Sequence, residues 1–194
     1  GTKAAAKIKR EDRSAQVDIY TKSNDISYAG CGLPYYVGGD IETREELIVN
    51  SPDKFASLTG ASVHTGMEAI GVDAGAKTVV FRNTADGSQE TADYDKLIIA
   101  SGASPIIPKI DGVDLKGVFT VRTPDDAIAI RDYISKNNCK KAVVVGAGFI
   151  GMEMAENLMA QNLSVTVVDM TSQILPGVLD PEMAGFAAKE LRKS

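Results

Sequence analysis

Residues 141–170 read KAVVVGAGFIGMEMAENLMAQNLSVTVVDM. The run AVVV is apolar and β-branched and predicts a buried strand, and SVTVV predicts another. Between them lie a glycine turn, Gly146-Ala147-Gly148-Phe149-Ile150-Gly151, and an apolar-rich helix. Two parallel strands need a crossover of a dozen residues or more, and this helix supplies it, so the stretch is a βαβ unit.

The turn has the spacing G-x-G-x-x-G in the context that gives it meaning, after a strand and opening a helix. Gly146 permits the tight turn, Gly148 removes the side chain where a pyrophosphate approaches the backbone, and Gly151 lets helix and strand pack closely. Phe149 and Ile150 occupy the variable positions. The helix N-terminus offers unpaired N–H groups and the positive end of its dipole to a phosphate. Asp169 stands at the end of the second strand, 21 residues after Gly148. A carboxylate there can accept hydrogen bonds from both ribose hydroxyls and would repel an added 2′-phosphate, which favours NADH over NADPH. A glycine turn that merely packs a helix on a strand would need neither the acid nor its spacing.

Outward from this unit, Thr123-Pro124-Asp125-Asp126 predicts a capped helix with acids in its first turn. Residues 104–118, with Pro105, Pro108, Gly112 and Gly117, read as a connector. KLIIA, 96–100, is a continuous apolar run ending in Ser101-Gly102 and predicts a buried strand running into a tight turn. From 61 to 95 the segments SVHTG, EAIGVD, TVVFRN and ETADY, with Asp86-Gly87, predict an antiparallel meander. Ser51-Pro52 marks a helix start. AQVDIY, 15–20, reads as a strand and residues 2–10 as a helix. The chain opens on Gly1 with no strand before that helix and stops inside an amphipathic run, so a fragment truncated at both ends is expected.

Composition excludes several classes. The 194 residues carry a net charge of −5, which argues against a nucleic-acid partner. No apolar run approaches the roughly 18 residues that cross a bilayer, and GTKAAAKIKRED has no hydrophobic signal core, so neither a membrane nor an export role is expected. The two cysteines are far apart. Reduced thiols and a cytoplasmic location are the expectation.

One of those cysteines has an unusual setting, SYAGCGLPYY at 27–36. Gly30 and Gly32 free the backbone around Cys31, and a helix running through LPYYVGG could place the thiol at its start, where a thiol pKa falls. A buried free cysteine packed as a small hydrophobe fits the same residues equally well. Cys139, in NNCKK, lacks the glycines and reads as structural. His64, the only histidine, has no second ligand at metal spacing and also reads as structural. Lys3, Lys7 and Arg10 fall on one helix face, ordinarily a solvated one. Tyr35 and Tyr36 suit either a cover over a site or the core.

SYAGCGLPYY, LIIASGASP (97–105) and VVVGAGFIGMEMAE (143–156), in this order, closely resemble the pyridine nucleotide-disulfide oxidoreductases, in the branch of coenzyme A-disulfide reductases, NADH oxidases and NADH peroxidases. The resemblance implies an α/β chain with two Rossmann-like, three-layer FAD/NAD(P)-binding domains, the first carrying the meander. On this pattern 1–118 is a partial FAD-binding domain and 119–194 a partial NAD(P)H-binding domain. FAD and NADH are the implied cofactors, and a homodimer the implied assembly of the full-length protein. The family's two-cysteine branch has C-x-x-x-x-C; here the fifth residue after Cys31 is Tyr36. Cys31 would therefore store its oxidising equivalent as a mixed disulfide or as a sulfenic acid.

The same resemblance implies site residues. Gly1, Ala100, Ser101 and Gly102 would lie along FAD, with Glu68 and Ala69 near its adenine and Arg131 also in contact. Phe149 would be the aromatic gate over the flavin, and Glu153 would face the nicotinamide. Thr21 and Lys22 stand where the family usually has an acid for the FAD ribose. Ser27 joins both the cofactor and the substrate residues, and Arg10 would meet coenzyme A phosphates. The implied acceptor is a small disulfide such as coenzyme A disulfide, with peroxide, oxygen or polysulfide as alternatives. A non-catalytic dinucleotide-binding or redox-sensing module is the alternative of another class.

Overall fold

The computed structural model describes residues 1–192; residues 193 and 194, the last two of the expected second domain, lie outside the described residues. It is a mixed α/β structure that divides into two compact units, 1–28 with 48–104, and 29–47 with 105–194.

In the first unit, helix α1 (Thr2–Glu11) is followed by strand β1 (Asp18–Thr21). A later helix of the same unit, α4 (Pro52–Thr59), starts as expected: the Ser51 hydroxyl accepts a hydrogen bond from the Lys54 amide at 3.3 Å, with Pro52 in the first turn. Strand β2 (Ser62–Thr65) lies parallel to β1, with Asp18 opposite Ser62 and Thr21 opposite Thr65. This corrects the expectation that SVHT belongs to the meander. Gly66, at φ +69°, turns the chain between β2 and the next strand, a conformation that costs glycine little. The antiparallel meander is therefore three strands, β3 (Met67–Asp73), β4 (Thr78–Asn83) and β5 (Gln89–Asp93), in that order, with a register shift between Ala69 and Gly71. Ala5, Phe55 and Ala61 form a buried cluster where α1 and α4 meet the β1–β2 sheet, and Val17, Ile19 and Val63 pack against it.

KLIIA also departs from expectation. Residues 97–100 fall in no strand, and Leu97, Ile98 and Ile99 are exposed. An apolar run becomes a strand only when another backbone supplies its ladder; the sheet of β1 and β2 has no third strand among the described residues.

In the second unit, a 3-10 turn (Gly30–Gly32) leads into α2 (Leu33–Gly38), and α3 (Arg44–Leu47) closes the segment. Residues 105–122 form an irregular connector. Helix α5 (Pro124–Asn137) opens on a capping box: Thr123 Oγ1 accepts from the Asp126 amide, and the Asp126 carboxylate accepts from the Thr123 amide. The predicted βαβ unit is present as β6 (Lys141–Val145), α6 (Phe149–Ala160) and β7 (Ser164–Val168), with parallel pairing from Lys141 and Ser164 to Val145 and Val168. Its strands are not buried as expected: among the described residues only α6 packs on this two-stranded sheet, and Val143, Val145 and Val168 are exposed. Helix α7 (Pro181–Leu191) follows. Leu33, Val37, Leu47, Ala127, Ile130, Met154 and Leu158 are buried, so α2, α5 and α6 share an apolar core. No helix of the described residues is long and apolar enough to cross a membrane.

Candidate functional site

The glycine turn is built as its spacing requires. Gly146 has φ +108°, a region a side chain would strain, and its amide donates to Val168 O at 2.8 Å, extending the β6–β7 ladder by one bond. A Cβ on Gly151 would overlap the Gly146 carbonyl, whereas a Cβ on Gly148 would meet nothing within 4 Å. Gly151 is thus fixed by helix-to-turn packing, and Gly148 leaves open room above the backbone. The first bond of α6 runs from the Met152 amide to Gly148 O at 2.9 Å, and no side chain caps the helix. The amides of Phe149, Ile150 and Gly151 stay outside the ladder at an exposed loop, an arrangement that fits a dinucleotide pyrophosphate. Phe149 and Ile150 are more than half exposed, at 60% and 61%, and Glu153 lies half-buried one turn along.

Asp169, expected to meet a ribose, is engaged within the chain. Its Oδ2 accepts the amide of buried Ala147 at 2.8 Å, and its Oδ1 accepts the Thr171 amide at 2.8 Å and hydroxyl at 2.7 Å. These bonds, the Ala147 amide first, hold the carboxyl well below the usual range, at about 2. Ala147 is gripped on its other side as well, since its carbonyl accepts from the Leu175 amide at 2.7 Å. A carboxylate has about four acceptor positions, so three bonds leave room for a further donor. Thr171 and Leu175 escaped the sequence reading. Asp followed two residues later by Thr signals a local side-chain turn; nothing local marks Leu175, whose φ of +49° is unusual for a bulky residue.

Cys31 is exposed, which removes the buried alternative. The reason lies in how the turn packs. A Cβ on Gly32 would press on Ile41 at 3.0 Å and Leu47 at 3.2 Å, so glycine lets the turn settle on these residues while its neighbour faces out. The turn closes through the Gly32 amide on Ala29 O at 2.8 Å, and the Ala29 amide donates to Leu47 O at 2.7 Å. Buried Leu33, Pro34 and Val37 then anchor α2. Tyr35 is exposed and Tyr36 half-buried, with the Arg131 guanidinium 4.8 Å from its ring centre. Arg131 Nη1 also donates to the carbonyls of Ile41 and Glu42. Cys139 is half-buried, with its sulfur 3.8 Å from Tyr133 O.

The remaining expected residues belong to the first unit. Gly1 lies at the start of α1, where a Cβ would be 3.6 Å from that of Ala100, so these two come together. Ala100, Ser101 and Gly102 are exposed, and Gly102 has φ +76°. Thr21 ends β1 and Lys22 follows it; Lys22 is close enough to Glu68 to help hold its carboxyl low, behind the larger effect of the 2.6 Å bond from Arg82. Ala69 is exposed beside Glu68. The Ser27 carbonyl accepts from the Val49 amide at 3.0 Å. Arg10 is exposed on α1 with Lys3, whereas Lys7 pairs with Glu11. His64 Nε2 lies 3.2 Å from Asp18 Oδ1, and Tyr20 stacks between His64 and Phe81, with ring centres 4.4 and 3.8 Å apart.

The second unit thus holds a glycine turn opening a helix without a side-chain cap, a carboxylate just past the next strand and an exposed cysteine. The profile of the pyridine nucleotide-disulphide oxidoreductases matches residues 1–194, and the chain belongs to this family. It is 39% identical over 193 residues to an NADH oxidase of Methanocaldococcus jannaschii, covering 100% of this chain and 43% of that protein. It is 35% identical over 174 residues to the coenzyme A disulfide reductase of Staphylococcus haemolyticus, covering 90% of this chain and 39% of that protein. The structure of reduced Bacillus anthracis CoADR-RHD superposes with a TM-score of 0.96 at 33% identity, over 100% of this chain and 35% of that one. The chain thus spans less than half the length of these relatives.

Proposed function

We propose that this chain is part of a flavin-dependent oxidoreductase in which electrons from NADH reach Cys31 through FAD and pass on to a small disulfide such as coenzyme A disulfide. The observation that carries the reading is the exposed Cys31 on a turn braced by Gly32 and Leu47, with tyrosine rather than a second cysteine five residues on. When bound, the nicotinamide supplies a hydride and the flavin delivers two electrons to sulfur. The protein's part begins with the Cys31 thiolate attacking one sulfur of the acceptor. The acceptor's S–S bond breaks, one thiolate leaves, and Cys31 is left in a mixed disulfide; two electrons and a proton restore the thiol and release the second product.

The residue assignments belong to the same proposal. Gly146, Gly148, Phe149, Ile150 and Gly151 would hold the NADH pyrophosphate end, with Glu153 toward the nicotinamide. Asp169 keeps a negative charge near the ribose, which favours NADH. Gly1, Ala100, Ser101 and Gly102, with Thr21, Lys22, Ser27, Glu68, Ala69 and Arg131, would serve FAD, and Arg10 with Ser27 the substrate. The same proposal takes from the family pattern a FAD-binding 1–118, an NAD(P)H-binding 119–194 and a homodimer as the full-length assembly.

In the full-length polypeptide, anaerobic mixing with NADH should produce a long-wavelength charge-transfer band between thiolate and flavin. Cys31→Ser should remove both the band and turnover with coenzyme A disulfide; full turnover in that variant would overturn the proposal. The Methanocaldococcus relative's name favours a second reading, in which oxygen is the acceptor. Oxygen consumption in place of disulfide reduction by the wild type would select it.

A further inference from the structure

The cysteine segment is held from behind by the helix that carries the glycine turn. Gly38, the last residue of α2, lies so close to α6 that a Cβ there would overlap the carboxamide of Asn157. Asn157 is the one polar residue among the buried core positions described, at 4% exposure, and its Nδ2 donates back to Glu153 O at 2.8 Å. One turn further along, Gln161 Nε2 donates to Gly38 O. From α5, Arg131 Nη1 donates to Ile41 O at 3.2 Å and Glu42 O at 3.1 Å, and its guanidinium covers Tyr36. The stretch from Gly38 to Glu42 is therefore fixed by hydrogen bonds at its two ends and by the steric fit at Gly38.

A helix rises 1.5 Å per residue, so Asn157 stands roughly 12 Å along α6 from Phe149 at the turn. One rigid rod thus carries phosphate-facing amides at its start and the brace of the thiol segment at its far end. We infer that Asn157, acting with Gln161 and Arg131, is a positioning residue for Cys31: it sets the presentation of the thiol through Gly38 without taking part in dinucleotide binding. A buried amide that both fills a glycine's missing side chain and bonds its own helix has fewer ways to yield than an apolar residue of similar size, whose rotamers could shift around an added methyl. The inference deepens the proposed redox role of Cys31 and rests on it for its functional meaning, though the brace itself is a matter of geometry.

The test uses the full-length polypeptide and follows alkylation of Cys31 by iodoacetamide across pH, with Cys139 distinguished by peptide mass, alongside NADH affinity. Gly38→Ala should change the Cys31 alkylation rate about tenfold, short of the roughly 100-fold that a 1 Å misplacement can cost a reacting group, and should leave NADH affinity unaltered. Adding Asn157→Ala to Gly38→Ala should recover most of the rate, the non-additivity expected of residues in contact. An unchanged rate in Gly38→Ala, or no recovery in the double variant, overturns the inference. Should Gly38→Ala not fold, Arg131→Met must shift the alkylation profile and Arg131→Lys must restore it in part; equal profiles for both and the wild type overturn it too. These readouts do not depend on turnover. Loss of the redox proposal through an active Cys31→Ser enzyme would leave the alkylation result standing, and the reverse also holds.

Discussion

Residues 141–151 and 96–104 carry nearly the same message in sequence: an apolar run that enters a turn with glycine. They differ in pairing rather than in burial, since Val143 and Val145 are themselves 64% and 66% exposed. KAVVV pairs along its length with β7, and its turn is locked by Asp169 and Leu175. KLIIA forms no strand and exposes Leu97, Ile98 and Ile99, while Gly102 takes positive φ in an irregular segment. The difference teaches that apolar character selects strands only as candidates. What makes one is a partner backbone, and SVTVV reaches β6 through a crossover helix encoded within the same thirty residues.

The sharpest way to break this comparison is at Gly151. Gly151→Val places a Cβ against the Gly146 carbonyl, so helix or turn must move. The expected cost is about 3 kcal/mol, the upper end for overpacking, seen as a lower midpoint in urea and loss of NADH binding. Gly148→Ala sharpens it by contrast. The added methyl enters open space, so stability should hold within about 0.5 kcal/mol, while NADH affinity measured by calorimetry falls on the order of tenfold because the phosphate approach is narrowed. Equal effects of the two substitutions on stability would sink the distinct roles given to these glycines.

The lock on the first turn predicts a pH signature. Asp169 is depressed from its ordinary value of 3.8 to about 2 by the bonds from Ala147 and Thr171. A depressed carboxyl contributes stability that is complete above its unfolded value and is lost as pH falls through the folded one. The Ala147 amide resonance should therefore titrate with a midpoint near 2, and Asp169→Asn should abolish that step. A midpoint near the ordinary value would mean the bonds do not form in solution. The smallest effect is in exchange rates. Amides of 143–145 and 165–168 should be slowed by the β6–β7 ladder, while those of 97–99 in the 194-residue chain should exchange close to the free rate.

Much of the candidate site was legible because its determinants are local. Gly146, Gly148, Gly151 and Asp169 are tied by spacing to one βαβ unit, and Thr123 and Ser51 announce their helices through caps that span three residues. Alternation places SVHT in the meander because it cannot reveal the strand's partner; β1, more than forty residues upstream, decides the pairing. The exposure of Cys31 was open for the same kind of reason, since it depends on Ile41 and Leu47 pressing where Gly32 has no side chain. Asn157 gave one signal that went unread, a polar residue between Met154 and Leu158 on an apolar face.

By itself, the sequence determined the βαβ unit, its glycine turn and the helix starts, because steric and hydrogen-bonding rules act over a few residues. Tertiary structure alone decided which apolar run became a strand, that the Asp169 carboxylate grips Ala147, and that Gly38 rests on Asn157. Each of these depends on two backbones meeting across many intervening residues, and no local pattern encodes that meeting.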